Sequence, residues 1–313
     1  MTVCFFGTYN PDYSRNRTLI RGLKENNIKV IEVNTDSNTK GIKKYLELIK
    51  LHHKIKHDYD VLLVAFPGFQ TMIIAKLICR KKIVFDAFNS IYESTIIDRK
   101  LYSRRSLQAL YYWLLNWLAC VLADKIILDT NEHIKYFIKE FRIPKHKCYS
   151  IYVGTDDLIF YPQPKTTKQA KFLVHFHGSF IPLQGIEYIL QAANILKSEE
   201  IQFNIIGKGQ LYNKMILLAE NLQLKNVKFI RFLAYEKLKD YIAEADISLG
   251  IFGNTAKAKR VIPNKEIAPA SQAKFHKRSK SCVEIRYDRA ILSVHPKKLA
   301  LAIRKPNSIS KRR

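Results

Sequence analysis

Short β-branched runs alternate with helix-spaced segments from the third residue onward, and that alternation leaves few folds open to the chain. Val3 to Phe6, Lys29 to Val33, Val61 to Ala65, Ile83 to Asp86 and Lys125 to Asp129 read as strands. Between and after them, Arg15–Asn26, Ile42–Ile55, Thr71–Cys79, Leu107–Leu122 and Glu132–Phe141 have helical spacing. The pattern predicts a doubly wound α/β domain with a parallel sheet over residues 1–161. A Pro-, Lys- and Thr-containing stretch at 162–171 reads as a linker. The alternation then restarts over 172–264, with strands Phe172–Phe176, Gln202–Ile206, Val227–Ile230 and Ile247–Ile251 and helices Ile186–Leu196, Leu211–Leu222 and Tyr235–Ala243. Two Rossmann-like halves imply a cleft between them, lined by the loops after Phe6, Ala65, Asp86, Asp129, Phe176, Ile206 and Ile251.

Charge separates the last segment from the rest. Residues 265–313 carry 14 basic and 3 acidic side chains, against 25 and 16 in residues 1–164. Neither strand-helix rhythm nor a Gly turn is evident there, so 265–313 reads as an irregular basic tail and the second domain as incomplete. A shift of reading frame after Lys265 would account for the change. The 47% hydrophobic content excludes a disordered chain, and the moderate basicity of the remainder suits anionic small molecules, an acidic membrane surface or nucleic acid. Five scattered cysteines, Cys4, Cys79, Cys120, Cys148 and Cys282, read as buried thiols of a reducing compartment. With no leader pattern after Met1, the expectation is a cytoplasmic protein. Ser106 to Ala123 contains no charge, but Ser106, Gln108 and Asn116 interrupt it, which favours a buried helix over a span. Arg104 and Arg105 before it, with Tyr111, Tyr112, Trp113 and Trp117 inside, leave contact with a membrane interface as the alternative.

Candidate chemistry sits in the strand-end loops. Gly7 and Thr8 open a loop whose backbone N–H groups suit an anion, or form a tight turn. Asp86 closes an apolar strand; its carboxylate either faces the cleft, to accept a sugar hydroxyl or a proton, or caps a helix or joins a buried salt bridge. The cluster Asp98, Arg99, Lys100, Arg104, Arg105 reads as a solvated face. Gly207-Lys208-Gly209 follows a strand and opens a helix, as a phosphate-approaching loop does, but Tyr212 replaces the third glycine of the dinucleotide fingerprint. His175 and His177 alternate on a strand without a third ligand, so hydrogen-bonded histidines are favoured over a metal site. Lys257, Lys259 and Arg260 follow the last strand, where three cations can neutralise a diphosphate leaving group.

The segment Gly154-Thr155-Asp156-Asp157-Leu158-Ile159-Phe160-Tyr161-Pro162 resembles the Gly-Val-Asp-x-x-x-Phe-x-Pro signature of family 4 glycosyltransferases of the GT-B fold, with Thr155 in place of Val. Phe6 to Asn10 with Ser14-Arg15-Asn16-Arg17, Phe85-Asp86-Ala87-Phe88 with Asp98-Arg99-Lys100, Gly178 to Gly185, and Lys257 to Lys265 are similar, in order, to a bacterial and archaeal subgroup. The resemblance implies retaining transfer from a nucleotide diphosphate sugar, without metal or other cofactor. It places the donor on the second domain near Gly178, Ser179, Gly207, Gly209, Lys259, Lys265 and Glu266, and the acceptor on the first near Gly7 and Thr8. Asp86, Lys257 and Arg260 are its candidate catalytic groups.

Two departures stand out. Ser179 and Gln184 replace the Arg and Lys that many members use to hold the diphosphate. Glu266 is followed eight residues later by Lys274, where the family grips the donor ribose with a second Glu. The chain thus reads as a hexosyltransferase acting on a cell-surface polysaccharide or lipid-linked intermediate at the inner face of the membrane, slow or inactive as written. Peripheral contact with an anionic membrane is compatible with this, and no nucleic acid is implied. The rival readings are a basic nucleic-acid-binding α/β protein and a non-catalytic remnant of the enzyme.

Overall fold

A computed structural model describes residues 1–35, 41–161, 171–262, 283–285 and 296–304. The chain divides into two compact units. The first comprises Met1–Gly154 with Arg260–Ile262; the second begins at Thr155 and takes in the described segments 283–285 and 296–304.

In the first unit, β1 (Thr2–Gly7), β2 (Lys29–Asn34), β3 (Val61–Val64), β4 (Lys82–Phe88), β5 (Lys125–Leu128) and β6 (Cys148–Ser150) form one parallel sheet in the order β2-β1-β3-β4-β5-β6. The inner strands β1, β3 and β5 are short and apolar, as strands covered on both faces are, whereas the edge strand β2 exposes Lys29 and Glu32. Val3 pairs with Val30 and Val61, and Val64 with Phe85, which stacks the apolar residues of successive strands. The helices are α1 (Ser14–Glu25), α2 (Lys43–Ile55), α3 (Phe69–Ile78), α4 (Leu107–Leu122) and α5 (Asn131–Phe141). One core gathers Cys4, Phe6, Phe69, Phe85, Ala119, Cys120 and Phe137. Ser106 and Thr130 cap α4 and α5, their hydroxyl oxygens accepting from the N–H groups of Ala109 and His133.

The uncharged segment forms the helix expected of it, over Leu107–Leu122, with Ala109, Leu115, Asn116, Ala119 and Cys120 buried. Among the described residues no helix is long and apolar enough to cross a membrane. Cys4, Cys79, Cys120 and Cys148 are buried free thiols, and burial pushes the Cys4 thiol up to about 12. Cys282 lies outside the described residues.

The second sheet, also parallel, has the order β11-β10-β7-β8-β9, built from β7 (Phe172–His177), β8 (Ile201–Ile206), β9 (Val227–Ile230), β10 (Ile247–Leu249) and β11 (Val283–Ile285). Its helices are α6 (Ile186–Ile195), α7 (Tyr212–Asn221), α8 (Leu238–Glu244) and α9 (Pro296–Arg304). The signature turn enters this unit: the Asp156 carbonyl accepts from Phe160 N–H at 2.8 Å, and Phe160 is buried against Ile242 and edge-on to Tyr235. Of the expected linker 162–171, all but Lys171 lies outside the described residues.

The basic tail corrects an expectation. It is not wholly irregular: β11 pairs in parallel with β10, Ile247 opposite Val283, and extends the second sheet by one strand. Leu299, Ala300 and Ile303 of α9 are buried in the core with Ile189 and Ala193 of α6. The sequence hid this because lysines and arginines flank a short apolar stripe, and i, i+1, i+4 spacing over nine residues is a weak signal. Glu199 pairs with Arg304 at the outer end. Truncating a buried leucine removes its transfer energy and leaves a cavity, so Leu299→Ala should lower the stability of the chain by about 2–4 kcal/mol in urea denaturation. A loss well under 1 kcal/mol would detach α9 from the core.

Candidate functional site

Open parallel sheets bind ligands beyond the carboxyl ends of their strands, where the strand order reverses. In the second unit that point lies between β7 and β10. The loops there are packed backbone on backbone. Gly178 N–H donates to the Ile206 carbonyl at 2.9 Å, Phe180 N–H to Lys208 O at 3.0 Å, and Leu211 N–H to Phe180 O at 2.8 Å. A Cβ at Gly207, whose φ is +143°, would lie 1.9 Å from the Gly178 carbonyl oxygen. Only glycine lets the two loops touch. On the other side Gly253 N–H donates to Leu183 O at 3.1 Å, and a Cβ at Gly253 would fall 2.3 Å from the Leu183 and Pro182 oxygens.

The result is a compact shelf with Ser179, Lys208, Gly209 and Gln210 exposed along it. Lys208 rises between two glycines, its ammonium 5.7 Å from the Phe232 ring centre. The sequence named the Gly207-Lys208-Gly209 segment but gave Lys208 no role. The closing of Gly178 onto Gly207 was not legible, because the partners are 29 positions apart in the chain. Gln184 is buried beneath the shelf, its carbonyl accepting from Phe252 N–H at 3.0 Å. His175 Nε2 and His177 Nδ1 are hydrogen-bonded to each other at 2.9 Å. No metal-ligating cluster occurs among the described residues.

In the first unit the strand order reverses between β1 and β3. The loop from Gly7 offers less to an anion than its composition suggests. Tyr9 N–H donates to Asn34 Oδ1 at 3.1 Å, Asp12 N–H to Asn10 Oδ1 at 2.8 Å and Tyr13 N–H to Asn10 O at 3.2 Å, and α1 does not start until Ser14. Gly7 is buried and Thr8 half-buried.

Asp86 requires a correction. Its carboxylate does not face solvent: it is fully buried and held by Arg15, whose Nε donates to Oδ2 at 3.0 Å and whose NH2 donates to Oδ1 at 2.8 Å. The remaining Arg15 nitrogen donates to the Ile151 carbonyl at 2.9 Å, and the guanidinium lies 5.2 Å from the Phe88 ring centre. Burial pushes the Asp86 carboxyl upward and the guanidinium pulls against it. This is the buried salt bridge, one of the two readings open to a carboxylate ending an apolar strand. Asp98 is also buried, at the end of a π-helical turn (Glu93–Asp98), whereas Arg99, Lys100, Arg104 and Arg105 are exposed.

The three cations after β10 do not form one exposed group. Lys257 is buried, Lys259 is exposed, and Arg260 belongs to the first unit. There Arg260 NH1 donates to Glu93, its carbonyl accepts from Thr130 Oγ1 at 2.7 Å, and its guanidinium stands 4.5 Å from the Tyr136 ring centre. Glu93 in turn lies 3.5 Å from Nε2 of His133, whose Nδ1 is hydrogen-bonded to Asp129. Sequence reasoning missed Glu93, Asp129 and His133. Asp129 and His133 are spaced i, i+4 across a helix start, a faint signal; nothing in the chain marked Glu93 as their neighbour. Lys265, Glu266 and Lys274 lie outside the described residues.

Burial pulls the His133 imidazole down, but hydrogen bonds and charge from Asp129 and Glu93 outweigh it, and the net shift is upward. A folded-state value above the unfolded ~6.5 contributes stability that is complete below about pH 6.5 and lost as pH rises through the folded value. Stability measured across that range should therefore decline with rising pH more steeply in the native protein than in His133→Gln. The buried pair gives a second expectation. Arg15→Met strands Asp86 without its partner and should cost about 3–5 kcal/mol, whereas Arg15→Met with Asp86→Leu should recover much of it. Equal losses in single and double variants would show that the pair is not what holds α1 to β4.

Residues 159–249 match the family model described as "Glycosyl transferases group 1". No curated protein matches the chain in sequence. Among solved structures, the fold is similar to that of Anabaena Alr3699/HepE in complex with UDP and glucose, at 13% identity, TM-score 0.64, covering 99% of this chain and 91% of that one. It is similar also to sucrose-phosphate synthase from Thermosynechococcus elongatus, at 12% identity, TM-score 0.71, covering 99% and 90%. The α/β fold, two units each built on a parallel sheet, is that of the GT-B glycosyltransferases.

Proposed function

We propose that the chain is a glycosyltransferase that takes a sugar from a nucleoside diphosphate donor seated on the shelf of the second unit. The observation that carries this reading is that the loop after β7, beside the strand-order reversal, is clasped by glycines on both sides, Gly207 against Gly178 and Gly253 against Leu183, within and next to the stretch that matches the family model. The N–H groups of Gly178 and Gly207 are spent on the Ile206 and Ile230 carbonyls, so the glycines fix the shape of the shelf and a phosphate chain is met by the exposed Ser179, Lys208 and Gln210 upon it. The UDP complexes of the HepE structures support the choice of ligand.

In the reaction the bond between the anomeric carbon and the diphosphate oxygen breaks, its electron pair leaving with the diphosphate, and an acceptor hydroxyl oxygen bonds to that carbon. The hydroxyl proton passes to a base. Negative charge growing on the leaving group is met by Lys208 and Lys259, both exposed, and by the Ser179 hydroxyl. Arg260, engaged with Glu93, is not assigned to this task, and neither is the buried Lys257. With cationic side chains in that role no divalent metal is required, and transfer is expected to survive chelation. We assign the chain to the family 4, retaining type, with a carbohydrate or lipid-linked acceptor of cell-surface polysaccharide assembly. Gly7 and Thr8 remain the acceptor-side candidates.

Calorimetry with UDP tests the donor site. Ser179→Asp sets a carboxylate on an exposed part of the shelf and should weaken UDP binding at least tenfold, and Lys208→Ala should weaken it by roughly three- to tenfold. Thermal midpoints should stay near the parent value in both. Unchanged affinity in both variants would move the diphosphate off this shelf. Sub-micromolar DNA binding that collapses with salt would instead favour the nucleic-acid reading.

A further inference from the structure

An apolar strip runs along the solvent-facing side of α4 for its whole length, with the exposed Gln108 outside it. Leu107, Leu110, Tyr111, Leu114, Trp117 and Val121 are all exposed, Leu107 by 82% and Trp117 by 37%, while the opposite face carries the buried Ala109, Leu115, Ala119 and Cys120. At ~100° per residue the six exposed positions fall within an arc of about 120°. Scattered exposed leucines need no explanation, but six on one helix face form a continuous strip.

The strip continues into a cationic loop. From Lys100 to Ala123 the sequence has no acidic residue and includes Lys100, Arg104 and Arg105, all exposed. The loop is tied to the helix by the Tyr102 ring stacked on Tyr112 at 6.1 Å. Beside it opens a cavity of about 320 Å³ lined by Lys100, Tyr102 and Arg104 with Ile97 at its wall. Its chemistry suits a phosphate group next to an acyl chain.

We infer that this face docks on an anionic lipid bilayer, with α4 lying in the interface plane, its apolar strip at the acyl boundary and Lys100, Arg104 and Arg105 among the lipid phosphates. A second copy of the chain is the poorer occupant, because it would set like-charged loops of two chains of formal charge +26 against each other. An anionic surface is complementary to both parts of the patch at once. Sixteen residues are too few to span a bilayer but enough to lie on one. The face belongs to the first unit, and no step of the proposed transfer uses it.

The full chain contains two tryptophans, and Trp117 is on the strip, so a Trp113→Phe variant leaves one reporter. Mixed with vesicles of phosphatidylglycerol and phosphatidylcholine in equal parts, this variant should co-sediment, show a blue-shifted Trp117 emission and be quenched by brominated acyl chains. Pure phosphatidylcholine should bind it far less, and raised salt should release it from the anionic vesicles. Arg104→Ser with Arg105→Ser should weaken partition by about 25-fold, at roughly fivefold per cation near the surface. Leu110→Ser with Leu114→Ser, at exposed positions that the fold does not need, should abolish the blue shift. Absence of partition, partition without quenching, or undiminished partition of the double-serine leucine variant would each overturn the assignment. So would sedimentation velocity showing a dimer that the leucine variant dissolves, since the strip would then be covered by a second copy.

Discussion

The first unit is organised around a buried charge that must be matched. Asp86 lies near the carboxyl end of β4, within the sheet, and with no access to water its carboxylate is held chiefly by Arg15, which brings two N–H groups to it. That requirement fixes where α1 packs, since Arg15 sits in its first turn. It fixes the chain after β6 as well, because the third guanidinium nitrogen is satisfied only by the Ile151 carbonyl. One ion pair thereby holds together the start of the first helix, the end of β4 and the exit of β6. Replacing one partner leaves the other stranded, which is why such pairs specify an arrangement even where they add little net stability.

A second buried set follows the same rule with more members. His133 lies between Asp129 and Glu93, and Arg260 supplies the positive charge that Glu93 requires. The demand is local to the first unit, yet it is met by a residue that arrives more than a hundred positions later in the chain. A cation that looks free in the sequence is therefore committed in the fold. Of the three cations after β10, the fold thus leaves only Lys259 exposed.

The second unit depends on contact between backbones rather than between charges. Gly207 against Gly178, and Gly253 against Leu183, leave no room for side chains, so the shelf is shaped by main-chain geometry. A site of this kind can keep its shape while the exposed side chains on it vary, which is consistent with a familiar fold carried at low identity.

By itself the sequence determined the alternation of strands and helices, and with it the parallel sheets. Continuous apolar runs mark strands buried on both faces and 3.6-residue spacing marks helices buried on one, and every strand expected in residues 1–251 lies within about two residues of its observed limits. It marked the glycine loops, the uncharged helix and the Asp86 strand end for the same local reasons. It left undecided whether Asp86 would face a ligand or a guanidinium, because that depends on where α1 is brought by the packing of the whole sheet. It gave no sign of β6, whose three residues carry too little pattern, and misread the tail, where flanking lysines obscured the Leu299-Ala300-Ile303 stripe and β11 is strand only by pairing with β10. Charge and composition are properties of the chain, but the partner of each buried charge and the neighbour of each glycine are set by contacts between distant residues, and those only the tertiary structure decided.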